Sequence, residues 1–357
     1  MDKSIQITVF YILTHMGLIF FLYPANIIES TTTAHWIPIC IGLFVHILIV
    51  IIYLKGLQFF PHKDLVSIYT ASGVTMTFLF LLPVGVYFLM INIITVRAYS
   101  EIIMIIFLSK TPLWAIMGLL LFSATYLAYK GLKAIFQTGL ILAILVLPLI
   151  LFTIVVSFQN VDWRYIYPIW NDDFSFFNKS VYYKSFFAIG GSFLFLGFVQ
   201  PVLPYRPKMV LLSVIAILPL FLISVYVPIM TFGQATSSNF LFPYVMTVDA
   251  INLSWLMLNR VTLFFLLGLV IFITLFMALV LWKTARIMHA FLPLRNQGLL
   301  VILLAIFIFS CALFISDWKE IEKIFGWNTP LRFYVVFGVP ISVLILGLRR
   351  TKGETTP

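Results

Sequence analysis

Two histidines are the side chains within the long apolar segments of this sequence best suited to proton transfer or ligand binding. His15 lies in the first apolar segment and His46 in the second. An ionisable group is costly to bury in an apolar environment, so each is a candidate functional residue. An imidazole also donates to a neighbouring carbonyl without any further function. For His15 both interpretations stay open, whereas a structural role is expected for His46.

Four neutral polar side chains in apolar segments carry groups that could bind a ligand. Thr14 adjoins His15, Ser192 follows a pair of glycines, and Tyr87 and Asn92 share the third apolar segment. Serine and threonine in apolar helices often bond their own backbone, and tyrosine and asparagine also pack in cores. A ligand site and ordinary packing are therefore both open for these residues.

The reactive side chains do not form the groupings expected of an enzyme. Acid–base catalysis would need a carboxylate partner for His15 or His46 within the apolar segments, and none is found there. Cys40 and Cys311 fall singly in apolar runs, so neither a disulfide framework nor a zinc site is expected. We expect no catalytic residue, no metal and no cofactor.

The composition places the chain in a membrane. Of its 357 residues, 62% are hydrophobic and 17% aromatic, against 22 Lys or Arg and 12 Asp or Glu. Soluble domains are about 45–50% apolar and about 25% charged, so the apolar excess must face lipid. The formal charge of +10 does not indicate a nucleic-acid partner, because the basic residues are scattered singly between apolar runs.

Ten apolar segments are long enough to cross a bilayer as helices, since a span needs about 20 residues. The predicted fold is an all-α integral membrane protein, with residues 1–357 forming a single polytopic domain. The predicted spans are 5–28, 36–54, 74–96, 112–129, 134–157, 182–203, 209–233, 258–282, 298–316 and 331–348. Arg97 and Glu101 are four residues apart, just beyond the third span. This spacing predicts an ion pair on the surface.

The distribution of charge predicts that both termini are cytoplasmic. With the N-terminus inside, one side carries 13 of the 22 basic residues, Lys283 among them, and 3 of the 12 acidic ones. An excess of Lys and Arg marks the cytoplasmic side. The long connections 158–181 and 234–257 then lie outside, and each is predicted to contain a short interfacial helix. The segment from Pro61 to Ser72 is predicted to lie along the inner surface.

Glycine and proline interrupt two of the predicted helices. The interruptions are Met16-Gly17 and Pro24 in the first helix, and Gly190-Gly191, Gly197 and Pro201 in the sixth. These positions match if the helices form two inverted halves of five, about 5–157 and 182–348. Breaking a helix within lipid frees backbone groups that are tolerated only inside protein or beside a ligand. The freed amides suit a carboxylate, so we predict a ligand site; helix packing by small residues is the alternative.

Short motifs at these interruptions resemble a known superfamily. The run from Met16 to Pro24 resembles the first helix of the amino acid/polyamine/organocation transporters, and Phe193 to Phe198 resembles their sixth-helix pattern. Further motifs, in the same order along the chain, resemble the spore germination family, in particular the B subunits of nutrient germinant receptors. These are Ala34-His35-Trp36-Ile37, Thr111-Pro112, Tyr129-Lys130-Gly131-Leu132 and the stretch from Asp162-Trp163 to Pro168.

The resemblance covers about residues 5–350 and implies a leucine-transporter-type fold, a 5+5 inverted repeat with broken helices 1 and 6. It implies that the chain binds a small nutrient germinant, often an L-amino acid, beside receptor A and C subunits in the spore inner membrane. Met16 and Gly17 would then lie at one break, and Phe193, Phe195 and Gly197 at the other. The predicted ligand-binding residues are Thr14, His15, Met16, Gly17, Tyr87, Ser192, Phe193, Phe195 and Gly197.

Two positions depart from the superfamily pattern. Leu18 and Ile19 stand where a small residue and a second glycine are usual, which makes the amide site for a carboxylate bulkier. Gln200 stands where an acidic residue is common. A nutrient less polar than a standard amino acid therefore stays open.

Two functions remain as hypotheses. In the first, the chain is a receptor subunit in which the nutrient biases a two-state helical arrangement, and partner subunits receive the signal that starts germination. In the second, it is a secondary active transporter of amino acids or related small solutes. Helix 5 contains no charged residue and helix 8 no central acid, which slightly favours sensing over ion-coupled transport.

Overall fold

Helices account for all ten predicted spans. The computed structural model describes residues 3–190, 192–251, 261–292 and 296–354. Within these ranges, eight helices are long and apolar enough to cross a membrane. A bent pair of helices at the N-terminus makes a further span, and a shorter apolar helix of 17 residues matches the ninth predicted one. The described residues contain no β-strand.

The helices are numbered in chain order. The first eight are α1 (Lys3–Ile19), α2 (Tyr23–Ser30), α3 (Trp36–Gln58), α4 (Leu65–Ala71), α5 (Val74–Ile106), α6 (Leu113–Lys130), α7 (Leu132–Val156) and α8 (Ser180–Gly190). The others are α9 (Leu196–Val199), α10 (Pro207–Phe232), α11 (Gln234–Ser237), α12 (Pro243–Asp249), α13 (Thr262–Phe291), α14 (Gln297–Leu313) and α15 (Trp318–Glu354).

Three helices extend well beyond their predicted ends. α5 continues past residue 96 to Ile106, α13 continues past residue 282 to Phe291, and α15 begins at Trp318 instead of residue 331. The start of the predicted eighth span, 258–260, lies outside the described residues. Each extended helix contains a cation whose place in the sequence is typical of the end of a span, at the membrane surface. In the structure these cations are buried inside the bundle: Arg97, Lys283 and Arg332.

The predicted surface pair of Arg97 and Glu101 is a buried one. Only 3% of the Arg97 side chain and 14% of the Glu101 side chain are exposed. The Arg97 guanidinium also donates to the carbonyls of Ile315 and Ser316, at 3.1 and 3.3 Å. The pair therefore fastens α5 to the connection between α14 and α15, and the prediction of a surface pair was wrong.

Close backbone contacts hold the long helices together. A Cβ atom added to Gly56 of α3 would lie 2.8 Å from the Leu344 nitrogen of α15, and one added to Gly347 would lie 2.8 Å from Phe59 Cβ. Glycine permits such an approach between membrane helices. α13 lies centrally and packs against α1, α5, α6, α7 and α14.

The two long connections on one face contain short helices, as predicted. The first holds the 3₁₀ helices Ser157–Asn160, Trp163–Ile166 and Ser175–Asn178, and the second holds α11 and α12. Both connections are bonded to residues 31–36, which link α2 to the first residue of α3. Trp36 Nε1 donates to the Ile169 carbonyl at 2.8 Å, and Gln234 Nε2 donates to the Thr31 carbonyl at 3.2 Å.

The segment from Pro61 to Ser72 on the opposite face contains α4. Asp64 caps this helix by accepting from the Ser67 backbone N–H at 2.8 Å, and it accepts from Arg286 Nε of α13 at 2.8 Å. Burial raises the pKa of Asp64, but the hydrogen bonds from Arg286 and Ser67 outweigh burial and hold the pKa below its ordinary value. Asp64 thus ties α4 to α13.

Replacing Asp64 by Asn isolates the contribution of this ion pair, because asparagine keeps the capping oxygen. We expect Asp64→Asn to lower the free energy of unfolding by about 1–2 kcal/mol at pH 7, measured as a lower melting temperature in detergent. The folded-state pKa of Asp64 is lowered, so its contribution is complete above the unfolded pKa of about 3.9 and is lost as the pH falls through the folded value.

The exposed pair of Asp162 and Arg164 supplies the control, with 2.6 Å between Asp162 Oδ2 and Arg164 Nη2. Exposed pairs contribute little, so Asp162→Asn should leave the melting temperature unchanged. Equal melting temperatures for Asp64→Asn and the parent protein at pH 7 would contradict the proposed tie.

Candidate functional site

The first broken span bends three residues after the predicted place. α1 ends at Ile19 and α2 begins at Tyr23, with an angle of 57° between them. Met16 and Gly17 are still helical, so the prediction that they lie at the break was wrong. Pro24 stands in the first turn of α2, where its missing N–H breaks no helical bond. The proline therefore marks the break better than the glycine does.

The second broken span is interrupted within the predicted segment. α8 ends at Gly190, Ser192 follows in a bend, and a 3₁₀ turn from Phe193 to Phe195 leads into α9. Gly191 lies outside the described residues. The freed backbone groups of this span lie within the bundle, as the low dielectric of a membrane requires.

A hydrogen bond between two side chains joins the broken spans. The hydroxyls of Thr14 on α1 and Ser192 lie 2.6 Å apart, and both side chains are fully buried. Thr14 is also 3.0 Å from the carbonyl of Phe10, one turn earlier. Thr14 and Ser192, predicted separately as ligand contacts, are therefore bonded to each other in this arrangement.

Aromatic and imidazole rings surround this bond. His46 Nε2 lies 2.5 Å from the Tyr11 hydroxyl, and His15 Nδ1 lies 2.8 Å from the Tyr11 carbonyl. The rings of Tyr11 and His15 stack with centroids 4.2 Å apart, and the His46 ring meets the edge of Phe193 at 5.5 Å. Both histidines thus belong to one cluster, although only His15 was predicted to lie at the site.

One ring nitrogen of His15 faces the broken span. His15 Nε2 has no hydrogen-bond partner by distance and angle within the described part of the chain. The carbonyl of Ile189, close to the end of α8, lies near this imidazole.

Three other predicted residues pack against neighbouring helices. A Cβ atom at Gly17 would lie 3.3 Å from Phe272 Cβ of α13, and one at Gly197 would lie 3.0 Å from the Tyr53 ring of α3. Tyr87 lies beside the guanidinium of Arg332 on α15. The two glycines therefore permit close helix packing, which was the alternative interpretation.

The centre between the broken spans is closed. The predicted ligand-binding residues in this region are all buried. Met16 is 2% exposed, and the other five are 0% exposed: Thr14, His15, Ser192, Phe193 and Phe195. No water-sized space therefore adjoins the five fully buried side chains, and a ligand requires that helices separate. Among the described residues, no three His, Cys, Asp or Glu side chains are grouped so that they could hold a metal ion.

Two buried cations were not recognised from the sequence. Arg332 is 1% exposed and Lys283 is 0% exposed. The Lys283 ammonium lies 4.0 Å from the centre of the Phe88 ring and has no hydrogen-bond partner in the described ranges. The sequence did contain an indication of their burial, because apolar residues continue on both sides of each cation. Buried charge is therefore present in helices where the sequence indicated none.

The family comparison matches most of the chain. The model of the family described as spore germination protein matches residues 3–318. No curated protein sequence matches significantly.

A solved structure shows the same fold. The crystal structure of MhsT in complex with L-phenylalanine superposes with a TM-score of 0.62 at 12% sequence identity, covering 95% of this chain and 98% of that chain. At this identity the similarity shows the fold, which is the leucine-transporter type with its broken first and sixth helices. The predicted fold class is therefore confirmed.

The Thr14–Ser192 bond can be measured with a double-mutant cycle. We expect Thr14→Val and Ser192→Ala each to lower the free energy of unfolding in detergent by about 1–2 kcal/mol, because each removes the bond and Thr14→Val also leaves the buried Ser192 hydroxyl without this partner. The double variant should lose less than the sum, with a coupling of about 1 kcal/mol. Strictly additive losses would show that the two hydroxyls do not stabilise this arrangement together.

Proposed function

Because this chain belongs to the spore germination protein family, we propose that it is the membrane-embedded B subunit of a spore nutrient germinant receptor. It binds a small nutrient between its two broken spans, and an L-amino acid is the preferred ligand class. It lies in the spore inner membrane with both termini cytoplasmic, and the A and C subunits receive the signal.

The observation that carries the proposal is the hydrogen bond between Thr14 and Ser192, at 2.6 Å. It joins α1 to the break of the second span at Ser192, and in this fold class such breaks adjoin the ligand. A polar ligand that replaced this bond would make new bonds to both hydroxyls. MhsT, which has the same fold, was crystallised with L-phenylalanine, and this supports an amino acid as the ligand class.

The proposed receptor has two states, the closed one described above and an open one that admits the nutrient. In the closed state the Thr14–Ser192 bond and the rings of Tyr11, His46 and Phe193 fill the site. A nutrient stabilises the open state only to the extent that it binds that state more tightly. The resulting movement of α8 and α9 against α1 is the change that partner subunits detect.

Dipicolinate release from spores tests the proposal. Spores that lack the gene are compared with parent spores across a panel of single L-amino acids, sugars and nucleosides. We expect the deletion to abolish the response to one nutrient class, and the intact gene to restore it. Normal release with every nutrient, in spores where no related receptor is present, would contradict the receptor function.

Variants of one residue type test the site. Thr14→Val keeps the shape of the side chain but removes the hydroxyl, so we expect about a tenfold higher nutrient concentration for half-maximal release. The matched control is Thr125→Val on α6, where the hydroxyl bonds only the Leu121 carbonyl of its own helix. An equal response of both variants and the parent would place the nutrient elsewhere.

Lys283 supports a second candidate function, proton-coupled transport of a small solute. Its ammonium is buried in a spanning helix, 4.0 Å from the Phe88 ring, and no ion pair in the described part of the chain includes it. Ionisable residues in such positions serve as proton sites in transporters. The absence of charge from the predicted spans favoured sensing over ion-coupled transport. The buried Lys283 weakens that argument.

Uptake into liposomes decides between the two functions. If the chain is a transporter, purified protein should accumulate the nutrient identified in the spore assay when a proton gradient is imposed, and Lys283→Met should abolish the gradient dependence. Uptake no greater than that of protein-free liposomes would exclude transport and leave the receptor function.

A further inference from the structure

Arg332 is a cation without a counterion inside the helical bundle. It lies on α15, fourteen residues after the helix begins, and is 1% exposed. Its guanidinium lies over the rings of Phe187 and Phe325, 5.1 Å from each ring centre. The ion pairs among the described residues are Arg97–Glu101, Arg164–Asp162 and Arg286–Asp64, so none includes Arg332.

Neutral groups satisfy only part of this guanidinium. Nη1 donates to the Lys184 carbonyl at 3.1 Å, and Nη2 donates to Asn328 Oδ1 at 2.7 Å. Arg332 Nε and Asn328 Nδ2 are buried donors without a partner within the described ranges. The Tyr87 hydroxyl lies beside the guanidinium and makes no well-aligned hydrogen bond. Two buried donors of α15 are therefore unpaired, and the Tyr87 hydroxyl of α5, which can donate or accept, lies beside the guanidinium.

Such an arrangement is suited to an anion. Leaving a buried donor unpaired is costly, and leaving a buried charge unpaired costs more. A carboxylate accepts up to four hydrogen bonds and matches the planar guanidinium in a two-point contact. We propose that Arg332, with Asn328 and Tyr87, binds the carboxylate of the nutrient. This inference rests on the proposed function, and it assigns these three side chains to the binding of the ligand's carboxylate.

The position agrees with the rest of the candidate site. Lys184, whose carbonyl Arg332 contacts, lies six residues before Gly190 at the end of α8, which is about 9 Å along the helix. An amino acid anchored at Arg332 can therefore direct its remaining part toward the break at Ser192. This placement also accounts for the bulky Leu18 and Ile19, because the carboxylate does not need the amides of the first break.

α15 has a weak point beside the cluster. Pro330 cannot donate to the Gly326 carbonyl, so the helix lacks one hydrogen bond two residues before Arg332. A cavity of about 390 Å³ between α8 and α15 is lined in this region by Lys184, Gly326, Thr329 and Pro330. Bending of α15 here would connect the cavity to the guanidinium, and this gives a carboxylate a route to it.

Binding of amino acids and of their amides by the full-length protein tests the proposal. The protein is placed in phosphatidylcholine nanodiscs, and calorimetry measures L-alanine, L-valine and L-phenylalanine, each beside its carboxamide. The amide has nearly the same shape but no negative charge. We expect the parent protein to bind the acid of at least one pair about 10- to 100-fold more tightly than its amide.

Three variants separate recognition from folding. Arg332→Gln should bind acid and amide with equal affinity. Asn328→Asp places a carboxylate 2.7 Å from the Arg332 nitrogen, so it should keep the melting temperature of the parent while losing the preference for the acid. Arg97→Gln is the matched control, because Arg97 is equally embedded but already paired with Glu101. It should retain the preference.

The outcomes distinguish failure of this inference from failure of the proposed function. Equal binding of acids and amides by the parent, or a preference that persists in Asn328→Asp, would overturn the role of Arg332 while nutrient binding stands. If the parent binds none of the three pairs and its spores answer to no amino acid, the amino acid ligand fails and this inference fails with it.

Discussion

Every backbone group that a helix break exposes within the membrane must find a partner, and this requirement organises the centre of the bundle. The Tyr99 hydroxyl of α5 donates to the Gly17 carbonyl near the end of α1. Tyr53 of α3 donates to the Leu194 carbonyl at 3.2 Å, and Tyr205 donates to the Leu196 carbonyl at 3.3 Å. Lipid contains no water to bond these carbonyls, so phenol groups from α5, α3 and the connection before α10 bond them. The breaks are thereby held by the helices that surround them.

The same low-dielectric interior explains why the polar side chains are arranged in pairs and clusters. Thr14 bonds Ser192, Tyr11 bonds His46, and Arg97 pairs with Glu101. Each pairing reduces the cost of removing a polar group from water. Lys283 and Arg332 are less completely satisfied, and aromatic faces supply part of what is missing through cation–π contact. Among the described residues neither cation has a carboxylate partner, whereas Arg97 and Arg286 each have one.

Apolar length predicted the spans, because a helix in lipid must be apolar for about 20 residues. It failed at the ends of α5, α13 and α15, because a single cation inside the bundle looks the same in sequence as one at the membrane surface. The break of the first span was placed at Gly17, whose missing side chain instead allows contact with Phe272. Whether a glycine serves a break or a helix contact depends on the neighbouring helix, which the sequence of one segment does not contain.

A binding site with an unpaired cation has an energetic advantage that a closed, neutral site lacks. The cost of taking Arg332 out of water is met when the protein folds, by the packing of Phe187 and Phe325 and by the Lys184 and Asn328 oxygens. A carboxylate that arrives later loses its own hydration but regains a full charge partner. Arg332 contacts the Lys184 carbonyl of α8, and the break at Ser192 follows the end of that helix, so a ligand held at both places would act on the position of α8. In the proposed receptor, differential binding to two positions of α8 would convert occupancy into a signal.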